Sequence, residues 1–275
     1  MVTRRHSRTG AALVAAGLMV GAAGVTGCSG TDDDSLPSDP VDLLRRAAPT
    51  LVRAGSSKAR TEMEMATGGT RVTIHGEGVY DYGRQLGRLK VLLPHDPAGH
   101  SEHRPITELL APGALFMKNR GAGVPADKWV RVDTGTLSDG NLVTGGATDP
   151  FAAAEVLRGT RTARFVGDTE VDGTPVRHYR GTADLLTASR AASEGNRAPL
   201  RAAAEGFATS RVPFDAYLDD EGRVRKVRHR FSFVNGGGQG SVAVASTTLL
   251  YDFGVAVAVR LPRPEDIYAG KIAED

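Results

Sequence analysis

The sequence holds a single cysteine, Cys28, and a single tryptophan, Trp129, among 275 residues. One cysteine excludes an intrachain disulfide framework and any zinc site built from several thiolates. Aromatic residues are scarce, with 8 Phe and 6 Tyr beside the tryptophan, too few for the stacking platforms that hold single-stranded nucleic acid. An excess of either charge is lacking as well: 34 Lys and Arg stand against 32 Asp and Glu. Three of those cations, Arg4, Arg5 and Arg8, precede a hydrophobic run, so the chain beyond them carries 31 against 32. Such a body lacks the strong basic field that nucleic-acid binding requires, and no nucleic-acid partner is expected. Glycine and proline, 34 and 14 residues, stay below the share that marks low-complexity chains. With 40% apolar residues the chain can bury a core.

Catalytic signatures are absent too. No Gly-x-Ser-x-Gly elbow and no His-Glu-x-x-His helix occurs, and no thiol is left as nucleophile if Cys28 is consumed. Asn235-Gly236-Gly237-Gly238-Gln239-Gly240 is glycine-rich but lacks the following Lys-Ser/Thr of a phosphate loop. It reads as a hairpin loop. Asp219, Asp220 and Glu221 fall in a turn expected to lie open to water, where raised carboxyl pKa values do not arise. His95, Asp96, His100, Glu102 and His103 offer metal-ligating types, yet no two of the histidines are four apart and Pro97 and Gly99 interrupt them. An exposed polar loop is the expectation, with no metal, no cofactor and no enzymatic activity.

What is present begins at the N-terminus. After the three arginines, Ala11 to Val25 is apolar and small, and Val25-Thr26-Gly27-Cys28 follows. Basic region, short apolar region and small-residue border form the secretory pattern. With cysteine just past that border, the motif resembles a bacterial lipoprotein signal, which implies a diacylglyceryl-Cys28 at the mature N-terminus. The competing reading is an uncleaved span, since Thr9 to Thr31 carries no charge; six glycines within it weaken that reading. Thr3-Arg4-Arg5 leaves both the general secretory and the twin-arginine export routes open. Residues 1–27 are thus read as a signal peptide and 28–38 as acylated cysteine plus tether, which keeps the folded body within roughly 35 Å of the membrane.

Beyond the tether, Asp39-Pro40 reads as the cap and first position of a helix, with Pro49 splitting it. After Gly55 the apolar period becomes two. Ala59, Thr61, Met63 and Met65 alternate with Arg60, Glu62 and Glu64; Val72 and Ile74, then Leu89 and Val91, continue the pattern. Leu115–Met117 and Trp129–Val132 are short strands. Asp149-Pro150 opens a second helix. Strands are expected at 162–171, 175–182, 212–218, 224–234 and 241–253, with helix between 184 and 208 on either side of Gly195 and Pro199. Hairpin-spaced strands with inserted helices predict an α+β fold in a single domain over 39–270.

Several segments then carry a resemblance: the Cys28 motif, Lys128-Trp129-Val130-Arg131-Val132, Asp149-Pro150, Val166–Gly173, Phe214-Asp215-Ala216-Tyr217-Leu218-Asp219 with Gly222-Arg223-Val224, and Tyr251-Asp252-Phe253-Gly254 ahead of Pro262. In this order they resemble actinobacterial lipoproteins of the LppX/LprAFG type, which share a fold with the LolA/LolB lipoprotein carriers. The resemblance implies a curved antiparallel half-barrel, its concave face covered by helices around a hydrophobic cavity. It also implies a membrane-anchored extracytoplasmic protein that binds, and in transport moves, lipid or glycolipid acyl chains.

A period of two sends alternate side chains to one side. Met63, Met65, Val72, Ile74, Leu89, Val91, Phe214 and Leu218 are therefore the candidate cavity wall. From the residues alone an ordinary solid core is the default reading of such rows and the resemblance is what raises a pocket, and the functional alternative is an envelope sensor or docking lipoprotein with a protein partner and no transported ligand. On the strand Arg223–Arg230, Lys226, Arg228 and Arg230 share one face, fit for solvent or for anionic head groups.

Overall fold

The computed structural model describes residues 39–67, 70–94, 104–121, 123–234 and 241–270. Cys28 with its leader, the His95–His103 loop and the glycine-rich loop 235–240 lie outside them.

Aspartate followed by proline opens two of the helices. The Asp39 carboxylate accepts the Val41 N–H at 2.8 Å ahead of α1 (Pro40–Arg45). Asp149 accepts the N–H groups of Phe151 and Ala152 at 2.7 and 3.1 Å ahead of α3 (Pro150–Val156). Each cap satisfies a donor that the helix leaves unpaired, worth about 1 kcal/mol. The expected split near Pro49 falls at Arg46, and α2 (Ala47–Ala54) takes the proline in its first turn. Asp184 caps α4 (Leu185–Ala191) through the Thr187 N–H.

The expected interruption at Gly195 and Pro199 does not occur: α5 (Glu194–Gly206) runs through both. Pro199 forfeits one backbone bond to the Gly195 carbonyl. Burial of Pro199, Leu200 and Ala203 offsets that loss. Gly195 lies so close to Pro112 that a Cβ would come within 2.7 Å of it.

The strands are β1 (Ser56–Thr67), β2 (Thr70–Asp81), β3 (Leu86–Leu92), β4 (Ile106–Ala111), β5 (Ala114–Lys118), β6 (Val130–Asp133), β7 (Thr160–Val171), β8 (Thr174–Asp184), β9 (Arg211–Leu218), β10 (Val224–Val234) and β11 (Ser241–Tyr251). They form one curved, antiparallel, eleven-stranded sheet in the order β6-β5-β4-β3-β2-β1-β11-β10-β9-β8-β7. Two meanders run outward from the central β1–β11 pair. This is the α+β half-barrel with helices on its concave face that the sequence predicts.

The order has a consequence for the interior. β6 and β7 are the two edges, so the connection between them must traverse the whole sheet, about 48 Å of strand spacing if flat. The concave side is the shorter path. Residues 134–159, including α3, take it, and α3 reaches β10 and β11. Apolar residues of all five helices join the inner strand faces in one core cluster.

On the convex side the chain turns after β11 through Asp252 and Gly254, both at positive φ, and returns over β4–β6. Val259 packs there on Leu109, Ala114 and Phe116. Trp129, expected inside a strand, instead precedes β6 and bridges Ile267 in parallel: its N–H donates to the Asp266 carbonyl and its carbonyl accepts from Tyr268 N–H, both at 2.8 Å. The Asp219–Gly222 turn also departs from expectation. Asp219 is buried, because its carboxylate accepts the N–H groups of Glu221 and Arg223 and the Arg223 Nε, while Arg223 and Arg225 close over the Phe253 ring.

Candidate ligand-binding site on the concave face

Strand register places the candidate residues in adjacent rows across the inner face. Val72, Met65, Val244 and Phe231 are successive cross-strand partners. The next row is Ile74, Met63, Ser246, His229 and Phe214. A third runs Ile106, Val91, Gly76, Thr61, Thr248, Val227 and Ala216. Leu89 pairs with Gly78 and Glu108, and Leu218 opposes Val224. Met63, Ile74, Leu89, Val91, Phe214 and Leu218 are buried in the core cluster, and Met65 and Val72 pack against it half-buried. The structure brings all eight onto one face. Ile74 and Val91 lie against Gly146 of the segment that covers the face.

The roof over the middle of that face is the loop 137–148, a segment given no role in the sequence reading. The buried Asp139 carboxylate accepts the N–H groups of Asn141, Val143 and Thr144, and the Asn141 side chain accepts Gly145 N–H at 3.1 Å. Thr148 Oγ1 donates to the Leu142 carbonyl at 2.8 Å, so Ser246 on β11 must be the donor in their mutual bond. Small residues then touch the sheet. Gly146, at φ +85°, lies so that a Cβ would meet Ile74 and Val91 at 3.4–3.5 Å, and Ala147 covers Gly76. The loop sits directly on the predicted wall.

Set into this apolar face are polar groups. Glu108 on β4 is fully buried and, among the described residues, neither carboxyl oxygen has a hydrogen-bond partner. Burial pushes it up to about 8, with Arg120 pulling down and Asp149 pushing up. His229 is buried on β10 with Nε2 unpartnered, against Phe231 and Phe214; burial pushes it down to about 3. Thr61 Oγ1 is likewise without a partner. Asp149 is held up at about 6 by burial, although Ala152, Phe151 and Tyr80 donate to it. Glu155 is buried but paired, to Arg158 at 2.9 Å and Ser193 N–H at 3.0 Å.

The sequence reading missed Glu108 and His229, although a signal existed for both. Period two puts Glu108 with Ile106 and Leu110, and His229 with Val227 and Phe231. The convex side matches its expectation: Lys226, Arg228 and Arg230 point outward on β10, where Arg228 pairs with Glu64 and Arg230 with Asp215. A cleft of about 480 Å³ on this side is lined by charged Lys58, Glu77, Arg88 and Lys90 together with Val79 and Tyr251, and Leu89 of the candidate wall is among its lining residues.

No protein-family model matches the chain, and no curated protein matches it. Among solved structures it is similar to Mycobacterium tuberculosis lipoprotein LppX, at 10% identity and TM-score 0.46 over 81% of this chain and 100% of that one. It is similar to LprF of Mycobacterium bovis at 13% identity and TM-score 0.39, over 83% and 99%. A LolA superfamily protein of Nitrosomonas europaea follows at 11% identity and TM-score 0.35, over 77% and 93%. These neighbours are of the kind that the sequence segments resemble.

Proposed function

We propose that the protein is a membrane-anchored extracytoplasmic lipoprotein that holds lipid acyl chains between its concave sheet face and the roof of loop 137–148 and α3. The observation that carries this reading is the inner face of adjacent rows from Ile106 and Val91 to Phe231 and Phe214, apolar but for Thr61, Ser246, Thr248 and His229, and covered over Ile74, Val91 and Gly76 by the small residues Gly146 and Ala147. Apolar concave surfaces with few polar points are what acyl ligands need. Loaded protein would have the roof lifted from Ile74 and Val91. The anchor in this reading is Cys28, which follows the basic and apolar leader and the small residues Thr26 and Gly27.

The deciding experiment is lipid extraction and mass spectrometry of the mature protein purified from its native membranes. Lipid near one per chain supports the carrier, and a clean protein opposes it. Cys28→Ser should accumulate as precursor or leave the membrane fraction; normal maturation and retention would end the anchor reading. For the wall, Ile74→Trp or Val91→Trp should abolish binding of a fluorescent acyl probe while the protein stays folded. Unchanged probe binding in a folded variant would remove those residues from the wall.

The second reading, a docking or sensor lipoprotein with a protein partner, draws on the close packing of roof on wall, where six of the eight candidates are shut from solvent. Under it, the purified protein carries no lipid and the tryptophan variants unfold, because a solid core resists added bulk by about 1–3 kcal/mol.

A further inference from the structure

We propose that Glu108 is a recognition point for a hydroxyl group borne on the acyl chain of the ligand. The inference rests on the acyl-binding reading and specifies which chains the site prefers. Its starting point is geometric. Glu108 projects from the inner face of β4, its cross-strand neighbours are Leu89 and Met117, and Ile106 and Leu110 flank it along the strand. None of these four side chains can donate a hydrogen bond to it. Both oxygens are buried and unpartnered.

A buried polar group without a partner costs about 1–3 kcal/mol, so Glu108 does nothing for the closed fold. The roof nevertheless makes room for it. Its Oε1 and Oε2 lie 3.0 and 3.5 Å from where a Cβ of residue 145 would be, and glycine stands there. Arg120, the nearby cation, directs its Nη2 to the Thr144 carbonyl at 3.4 Å instead. The carboxyl therefore faces the seam between wall and roof, where an acyl chain would lie.

The chemistry narrows the ligand. A single polar point inside an apolar wall fits a single polar group within a hydrocarbon, not a whole head group. A phosphate would meet a carboxyl with no cation paired to it. An ammonium would demand an ionised pair among four apolar neighbours, where desolvation works against both charges. A hydroxyl suits a carboxyl in either protonation state: it donates to the carboxylate, or exchanges donor and acceptor roles with the acid.

The test uses the full chain purified from membranes and a fluorescent acyl probe. Displacement is compared for octadecanoic acid and for a set of octadecanoic acids bearing one hydroxyl at successive positions. Wild type should favour one isomer over the unsubstituted acid by about tenfold, the value of one hydrogen bond. Glu108→Leu should lose that preference, its affinities for the hydroxylated isomers and the unsubstituted acid becoming alike, and Glu108→Gln should keep part of it. A wild type without preference, or a Glu108→Leu variant that retains it, overturns the proposal while leaving acyl binding intact. Failure of the wild type to bind octadecanoic acid or the probe overturns the acyl reading, and this inference with it.

Discussion

Two carboxyl groups shut away from water stand on opposite faces of the same sheet, and their surroundings could hardly differ more. Asp215, on the outer face of β9, accepts from Arg180 Nε at 2.7 Å, His178 Nε2 at 2.9 Å and Arg230 Nη2 at 2.9 Å. Burial pushes it up, but those three donors overcome the effect and pull it down to about 2. Glu108, on the inner face of β4, has no donor at all and is driven up to about 8. The outer face alternates charges, so a buried acid there finds cations on both neighbouring strands. The inner face is built to be apolar, and an acid placed in it has no partner in the closed molecule. One carboxylate is part of the scaffold; the other burdens it.

Titration should separate the two most strongly. Glu108 has a folded pKa near 8 against an ordinary 4.5, so its contribution is fully present below about pH 4.5 and is lost as pH rises toward 8. At 1.36 kcal/mol per unit the loss is at most about 5 kcal/mol. Asp149, raised to about 6, acts in the same direction over a narrower window. Asp215 works the other way, its stabilisation present above about 3.8 and lost as pH falls through about 2. His229, depressed to about 3, is also lost on the acid side, below about pH 6.5. Urea midpoints across this range should show a decline between about pH 6 and 8 that Glu108→Leu abolishes, while the Asp149 decline at lower pH and the acid decline remain. A Glu108→Leu curve parallel to wild type at high pH would contradict the assignment.

Removing the satisfied acid should cost next most. Asp215→Ala leaves Arg180, Arg230 and His178 crowded without their shared acceptor. Both arginines are about half exposed, so the expected loss lies at the low end for a broken buried pair, about 2–3 kcal/mol. Glu108→Leu should move stability in the opposite direction by about 1–2 kcal/mol at neutral pH, because it removes an unsatisfied group. Equal signs for the two substitutions would break the contrast between the faces.

How much of this was legible in the sequence follows the same division. Strands with strict alternation, such as Ala59 to Met65, were readable because period two is a local property, and the Asp-Pro caps were readable because each acts within three residues. Pro199 was misread because its penalty is local while the burial of Leu200 and Ala203 that offsets it is not. Asp219 was misread because its turn folds the carboxylate back onto its own backbone. Glu108 and His229 had the right period, but being charged or titratable they were not counted as inner-face residues. The role of loop 137–148 was not readable at all. It follows from strand order, which makes the β6–β7 connection cross the sheet, and strand order is set by long-range pairing.

The smallest expected effect sharpens the comparison at the roof, where two adjacent glycines face the wall for different reasons. Gly146→Ala places a side chain at φ +85°, with its Cβ 3.4–3.5 Å from Ile74 and Val91. Backbone strain dominates there, at about 1–2 kcal/mol, and a change at Glu108 should not relieve it. Gly145→Ala is different. Its Cβ would lie 3.0 Å from both Glu108 Oε1 and Asn141 Oδ1, so its cost, about 1 kcal/mol, comes from crowding rather than from the backbone. Shortening Glu108 to alanine removes one of those two contacts. A double-mutant cycle should therefore give a coupling of about 0.5 kcal/mol between Gly145→Ala and Glu108→Ala, and none between Gly146→Ala and Glu108→Ala. Equal couplings for both glycines would mean that the loop responds as a rigid unit. Zero coupling at Gly145 would mean that the Glu108 carboxyl is not held beneath it.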